Sequence, residues 1–282
     1  MEHSIEITDI GHEFSGKKVL DKITLQIGTG EIFGLLGPSG AGKTTLIKIL
    51  TGQIKQTFGE AKLLGKDTRQ LTGQDHKKIG IMMDHFGVYE RLTCYDNLKL
   101  FAKIYGVSDE KIKHTLENVG LLEARKTSVM HLSKGMRNRL LLARVLMLNP
   151  VVLFLDEPTS GLDPATAGEI HTLIQKERDK GVTIFLTTHN MVEAEKLCDH
   201  IALLNKGTIV EYGNPGEICR RYNHQKRIKV HLYNGKDIEL PNDKTAAGTV
   251  ENYLEREMIE TIHSTEPNLE TVFMELTGRR FE

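Results

Sequence analysis

The segment from Gly37 to Thr45 reads GPSGAGKTT. It fits the phosphate-binding pattern G-x-x-x-x-G-K-[ST] through Gly37, Gly42, Lys43 and Thr44. Glycines at this spacing let the successive backbone N–H groups of Ser39, Gly40, Ala41, Gly42, Lys43, Thr44 and Thr45 turn inward around phosphate oxygens. Lys43 then offers a point charge to the β- and γ-phosphates, and Thr44 a hydroxyl to Mg²⁺. This is the chemistry of a nucleotide site. A second set of reactive groups ends the apolar run VVLFLDEP, Val151 to Pro158. At the C-terminal end of a strand, Asp156 can hold Mg²⁺ through a bound water, and Glu157 is placed to accept a proton from an attacking water.

Far from both lies HLSKGMRNRLLLARVL, His131 to Leu146. Ser133 can cap the helix that this apolar run implies, and Gly135 lets another backbone approach closely. Free amide N–H groups at such a helix start make a second anion site. Two phosphate cradles so far apart in one chain call for an explanation.

The elements that must position these groups are legible from periodicity. SIEIT and VLDKITLQI alternate as strands do, and Ile32–Leu36 is a short apolar run suited to a strand buried on both faces. A helix is expected from Lys43 to Thr51, stopped by Gly52. Helices are also expected over Tyr95–Tyr105, Asp109–Val119 and Met136–Leu148. After Asn149-Pro150 strand and helix alternate. Asp163-Pro164 supplies an N-cap and first turn, Gly181 ends that helix, VTIFLTT forms a strand, and Asn190 with Glu193 resembles a capping box. The expected fold is α/β, with a mostly parallel sheet and right-handed crossovers. Near Tyr222 the character shifts. RIKVHLYNGKDIELP reads as two strands around an Asn-Gly turn, followed by helices over Thr245–Glu257 and Leu269–Leu276. A domain boundary is expected between Ile218 and Arg227.

The chain has 282 residues with 39% hydrophobic and 27% charged content and a formal net charge of −1, so nothing in its charge demands a nucleic-acid partner. No apolar run approaches the roughly 18 to 20 residues that a membrane span needs. The N-terminus has neither basic nor apolar signal-like regions. Cys94, Cys198 and Cys219 form no CxxC pair, which fits buried thiols in a reducing cytoplasm.

In combination and order, GPSGAGKTT, LSKGM, LFLDEPTSGLD and His189 resemble the ATPase subunits of ABC transporters. The resemblance implies a P-loop ATPase core with an N-terminal antiparallel part, spanning residues 1–220. It also implies a helical subdomain at about 93–148 and a small α+β domain over 227–282. In that family two ATPase domains pack head to tail, and each ATP lies between the phosphate loop of one and the signature turn of the other. The second cradle, Ser133, Lys134, Gly135 and Met136, would therefore serve a neighbour's ATP, most simply in a homodimer. Phe14 falls where an aromatic ring stacks on adenine, Asp163 where a residue bridges to the opposite site, and His189 where a histidine contacts the γ-phosphate. The implied cofactors are ATP and Mg²⁺, the latter held by Thr44, Asp84 and Asp156, with Glu157 and His189 as the catalytic pair.

Two departures stand out. The usual Leu-Ser-Gly-Gly-Gln signature is here Leu132-Ser133-Lys134-Gly135-Met136, which loses an amide and adds a cation at a helix N-terminus. Asp84 stands where a glutamine is usual, which implies slower or more metal-dependent turnover. The tail STEPNLETVFMELTGRRFE resembles ATPases of drug, antibiotic and bacteriocin-peptide exporters, whose membrane domain is a separate polypeptide. The expected activity is ATP hydrolysis coupled to export, on the cytoplasmic face of a membrane. A permease partner would dock on the region Thr93–Leu148. Two other readings are a nucleotide-sensing regulatory subunit with weak hydrolysis and a soluble ABC ATPase that moves no solute. The second fits poorly, since the chain carries one cassette and has no room for a long coiled coil between Thr45 and Leu132.

Overall fold

A computed structural model describes residues 3–83, 87–224 and 226–278; Asp84 lies outside the described residues. The chain divides into two units between Tyr212 and Gly213. The first begins with β1 (His3–Phe14), β2 (Lys17–Gly28) and β3 (Ile32–Leu36), followed by α1 (Lys43–Leu50). Next come β4 (Phe58–Leu63), β5 (Lys66–Asp67), the short α2 (Gly73–His76) and β6 (Ile79–Met82). Three helices follow, α3 (Cys94–Tyr105), α4 (Asp109–Asn118) and α5 (Lys134–Leu146). The chain then alternates through β7 (Val152–Asp156), α6 (Pro164–Asp179), β8 (Thr183–Thr188), α7 (Met191–Leu197), β9 (His200–Asn205) and β10 (Thr208–Gly213).

These strands form two sheets. One has the order β2-β1-β4-β5, with antiparallel pairing throughout. The other has the order β10-β9-β3-β8-β7-β6, in which β9, β3, β8, β7 and β6 run parallel. The main core joins Ile5, Ile7, Ile23 and Leu25 of the antiparallel sheet to Phe33, Phe154 and Phe185 of the parallel one and to Leu46, Ile47 and Leu50 of α1. Every residue of β3, β7 and β8 is buried, as a parallel strand covered on both faces requires. Phe33 pairs with Phe185, and Phe185 with Phe154, in the sheet register. Their rings lie 5.2 and 5.5 Å apart.

A second core holds α3, α4 and α5 together through Cys94, Leu98, Ile112, Leu116, Leu140, Ala143 and Met147. Each of these helices begins at a hydroxyl cap: Thr93, Ser108 and Ser133 accept from the N–H three residues on. Because Ser133 is the cap, α5 starts at Lys134, two residues before the expected Met136. The buried side-chain amide of Asn97 accepts from Tyr89 N at 2.7 Å and donates to the carbonyls of Tyr89 and Thr93 at 3.0 Å. It thereby fastens the loop before α3. No helix among the described residues is long and apolar enough to cross a membrane.

The second unit contains α8 (Pro215–Arg221), β11 (Arg227–Leu232), β12 (Asp237–Pro241), α9 (Ala247–Glu255), β13 (Ile259–Ser264) and α10 (Leu269–Thr277). Its sheet has the order β12-β11-β13. The division at Tyr212/Gly213 corrects the boundary expected after Ile218, because α8 packs against α10 and so belongs to the second unit. The strand β13 was not expected. All but its first residue are exposed, so it carries no apolar alternation to read.

Truncating the middle ring of the phenylalanine ladder tests whether it holds the parallel strands together. Phe185→Ala should lower unfolding stability by about 3–5 kcal/mol, read from the midpoint of urea unfolding. A loss below about 1 kcal/mol would mean that the ladder contributes little.

Candidate active site

The loop between β3 and α1 walls one side of a cleft of about 640 Å³, lined by Phe14, Val19, residues Pro38 to Thr45, Lys48, Met83, Asp156 and Glu157. Gly42 caps α1 with a φ of 113°. A Cβ there would also lie 2.7 Å from Leu20 and 3.0 Å from the Val19 carbonyl, so both backbone angle and space require glycine. Lys43 is buried, and its Nζ donates to the Gly37 carbonyl at 2.6 Å and lies 3.4 Å from Glu157 Oε1. Phe14, at the end of β1, is half exposed on the cleft wall, where it meets His12 edge-on.

Strand β7 delivers both carboxylates, as its apolar run predicted. Asp156 is buried; Thr44 donates to its Oδ2 at 2.8 Å, and the Thr187 hydroxyl donates to its Oδ1. Glu157 breaks from the strand with a φ of 51°, a left-handed conformation that costs a non-glycine residue about 1–3 kcal/mol. Its N–H donates to the Thr187 carbonyl at 3.1 Å. The turn aims its carboxylate between Lys43 and His189, whose Nδ1 lies 2.7 Å from Oε2. A carboxylate only accepts, so the His189 tautomer in this contact carries its hydrogen on Nδ1. Hydroxyl and carboxylate oxygens of Thr44 and Asp156 thus converge beside the phosphate loop. An all-oxygen pair suits Mg²⁺, which fills its remaining positions with phosphate and water.

The signature residues stand apart: neither Ser133, Lys134, Gly135 nor Met136 lines the cleft. Ser133 caps α5 by accepting from Met136 N at 3.2 Å. A Cβ on Gly135 would fall 2.3 Å from the Thr166 methyl, so α5 and α6 approach closely here. Lys134 is exposed. Its Nζ lies over Gly161, 2.4 Å from where a Cβ would stand. Asp163 caps α6, with Oδ1 accepting from Ala165 and Thr166 N–H and Oδ2 from the Thr166 hydroxyl at 2.6 Å. Those donors, the Thr166 hydroxyl first, hold its carboxyl below the usual range.

Sequence reasoning missed the residues that brace the site. Thr187 was read as part of a strand, although its hydroxyl reaches Asp156. The Asn190/Glu193 capping box forms by half. Asn190 Oδ1 accepts from Glu193 N at 3.1 Å, but Asn190 N donates to Thr188 Oγ1 at 2.9 Å. The Glu193 carboxylate turns into the core, where Thr159, Thr188 and His171 meet it. The signal available was three consecutive donors, Thr187-Thr188-His189, at the end of a buried strand.

A family model described as ABC transporter matches residues 20–160. A fluoroquinolones export ATP-binding protein of Mycobacterium tuberculosis is 40% identical over 260 residues, covering 90% of this chain and 86% of that protein. A bacitracin transport ATP-binding protein of Enterococcus faecalis is 32% identical over 302 residues, covering 99% and 97%. A solved structure described as the ATP binding subunit of an ABC transporter matches at 27% identity with a TM-score of 0.69, over 77% of this chain and 92% of that one. The cleft, the two carboxylates and these relatives agree: the chain belongs to the ABC transporter family and is one of its ATP-hydrolysing, ATP-binding subunits, with exporter subunits among its relatives.

Proposed function

We propose that this chain hydrolyses ATP with Glu157 as general base, at a site shared between two copies, and drives export of a drug, antibiotic or peptide through a separate membrane subunit. The observation that carries this reading is the Glu157 carboxylate, fixed between Lys43 at 3.4 Å and His189 at 2.7 Å beside the Thr44–Asp156 pair. Likeness over 90% or more of this chain to fluoroquinolone and bacitracin transport subunits supports the cargo class.

Phe14 stacks on adenine, and the N–H groups from Ser39 to Thr45 receive the phosphates. Lys43 spreads charge over the β- and γ-phosphates. Thr44 and Asp156 would hold Mg²⁺, which supplies charge neutralisation on the phosphate oxygens. Glu157 accepts a proton from the attacking water. His189 orients that carboxylate through Nδ1, with its Nε2 left to face the γ-phosphate. Ser133, Lys134, Gly135 and Met136 of a second copy close the other side of the nucleotide, and Asp163 lies at the seam. Mass measurement of purified Glu157→Gln should give a dimer with ATP and a monomer without, and adding Ser133→Arg should return the monomer. A Glu157→Gln protein that still turns ATP over at the wild-type rate overturns the general base. A wild-type protein that binds ATP without measurable turnover favours the nucleotide sensor.

The membrane subunit docks on the helical region, where α3 exposes Leu100, Ile104 and Tyr105 beside a groove lined by Ile81, Phe101, Arg144 and Leu148. Ile104 is 70% exposed, and with Leu100 and Tyr105 on the same helix it forms apolar surface of the kind that marks an interaction site. Ile104→Glu should leave ATP hydrolysis by the isolated subunit within about twofold of wild type. The same substitution should abolish co-purification with a polytopic membrane protein. Retention of that partner places the docking surface elsewhere.

A further inference from the structure

Three charged side chains among the described residues are buried: Lys43, Asp156 and Glu193. The first two line the nucleotide cleft; Glu193, 2% exposed, does not. A buried carboxylate without partners costs several kcal/mol, so what this one holds is informative. Its Oε1 accepts from the Thr159 hydroxyl at 2.5 Å and from His171 Nε2 at 2.8 Å. Its Oε2 accepts from the Thr188 hydroxyl at 2.6 Å. Burial pushes the Glu193 carboxyl up, and the donors from His171, Thr159 and Thr188 outweigh it, holding the group below the usual carboxylate range as an anion.

The donors are not arbitrary in sequence. Thr159 stands two residues after Glu157, and Thr188 one residue before His189. The two segments that carry the catalytic pair are thus tied to one carboxylate, with His171 of α6 as a third strut. Glu157 also sits in a left-handed conformation, which persists only where flanking structure over-determines it. On its N-terminal side the bond from Glu157 N to the Thr187 carbonyl does this; on its C-terminal side Thr159 and Glu193 do.

Resting on the reading that Glu157 and His189 act in ATP hydrolysis, we propose that Glu193 is a positioning residue, which through Thr159 and Thr188 holds these two side chains in hydrogen-bond register. It touches neither substrate nor metal; it acts on kcat and leaves nucleotide binding to the phosphate loop.

Glu193→Gln tests this. The amide carries no charge, so the three charge-assisted bonds become neutral ones, and the Thr188 hydroxyl must turn from donor to acceptor to meet the NH₂; the brace loosens. In the full chain, kcat should fall about tenfold to a hundredfold, the scale of a small misplacement of catalytic groups. ATP affinity, measured by equilibrium dialysis, should stay within about twofold, since the cleft lining is untouched. Thr159→Val and Thr188→Val remove one strut each and keep the proposal testable if Glu193→Gln fails to fold. Each should lower kcat without lowering affinity, and each should add little when combined with Glu193→Gln. Wild-type kcat in Glu193→Gln, or in both threonine variants, overturns the proposal. So does a loss of affinity in proportion to kcat together with thermal stability, which marks a general packing role. Glu157→Gln run in parallel separates the two levels. If it retains hydrolysis, the catalytic reading itself fails; if it abolishes hydrolysis while the Glu193 variants are unaffected, only the positioning role fails.

Discussion

The site depends on the register of three parallel strands. Phe33, Phe185 and Phe154 stand side by side across β3, β8 and β7. A slip of one residue would turn every side chain of a strand to the opposite face and put each ring on the wrong side of the sheet. With the rings aligned, Leu36 pairs with Thr188 and Asp156 with Thr187. The phosphate loop, the two carboxylates and His189 therefore leave the sheet at the same level. Chemistry at the carboxyl edge of a parallel sheet is a general feature of such folds. Here its accuracy rests on apolar packing two to three residues below that edge.

At that edge, electrostatics takes over from packing. Three successive residues serve three different carboxylates: Thr187 donates to Asp156, Thr188 to Glu193 and His189 to Glu157. Because a strand alternates its side chains, Thr187 and Thr188 face opposite sides, and one short segment ties the cleft to the α7 side of the sheet. Anions so close together would repel. Lys43 at Glu157, Thr44 at Asp156 and His171 at Glu193 each bring a donor that offsets the repulsion.

How much of this the sequence disclosed follows from how local each signal is. The phosphate loop was legible because its glycines and Lys43 are contiguous, and Asp156 and Glu157 because they end an unbroken apolar strand. Ser133 and Asp163 were legible as helix caps for the same reason, whereas Thr93 and Ser108 cap α3 and α4 in the same way but were not read as caps. The Glu193 brace was not legible. Its partners come from three separate segments, and the local pattern Asn190–Glu193 has a competing explanation in helix capping, which the backbone half of the contact satisfies. The strands β4, β5, β6, β9, β10 and β13 were not singled out, two of them for a plain reason: β5 is too short to show a period, and β13 faces solvent along most of its length. The boundary at Tyr212 was misplaced because it is set by α8 packing on α10, a contact between segments far apart in sequence.

Within one chain α5 is already linked to the turn that carries Glu157. Asn138 of α5 donates to the Pro158 carbonyl at 2.9 Å, directly after Glu157. Lys134 lies over Gly161, and Gly135 leaves room for Thr166 at the start of α6. The segment from Glu157 to Asp163 is therefore held by α7 through Glu193 on one side and by α5 on the other. In a head-to-tail pair, α5 would feel the neighbour's nucleotide while Glu157 faces the chain's own. A displacement of α5 then has a short, hydrogen-bonded route to the residue proposed as general base. Coupling of this kind requires an element with two arrangements rather than mere contact, and Glu157 is the strained residue of this segment, its left-handed turn held by anchors on either side.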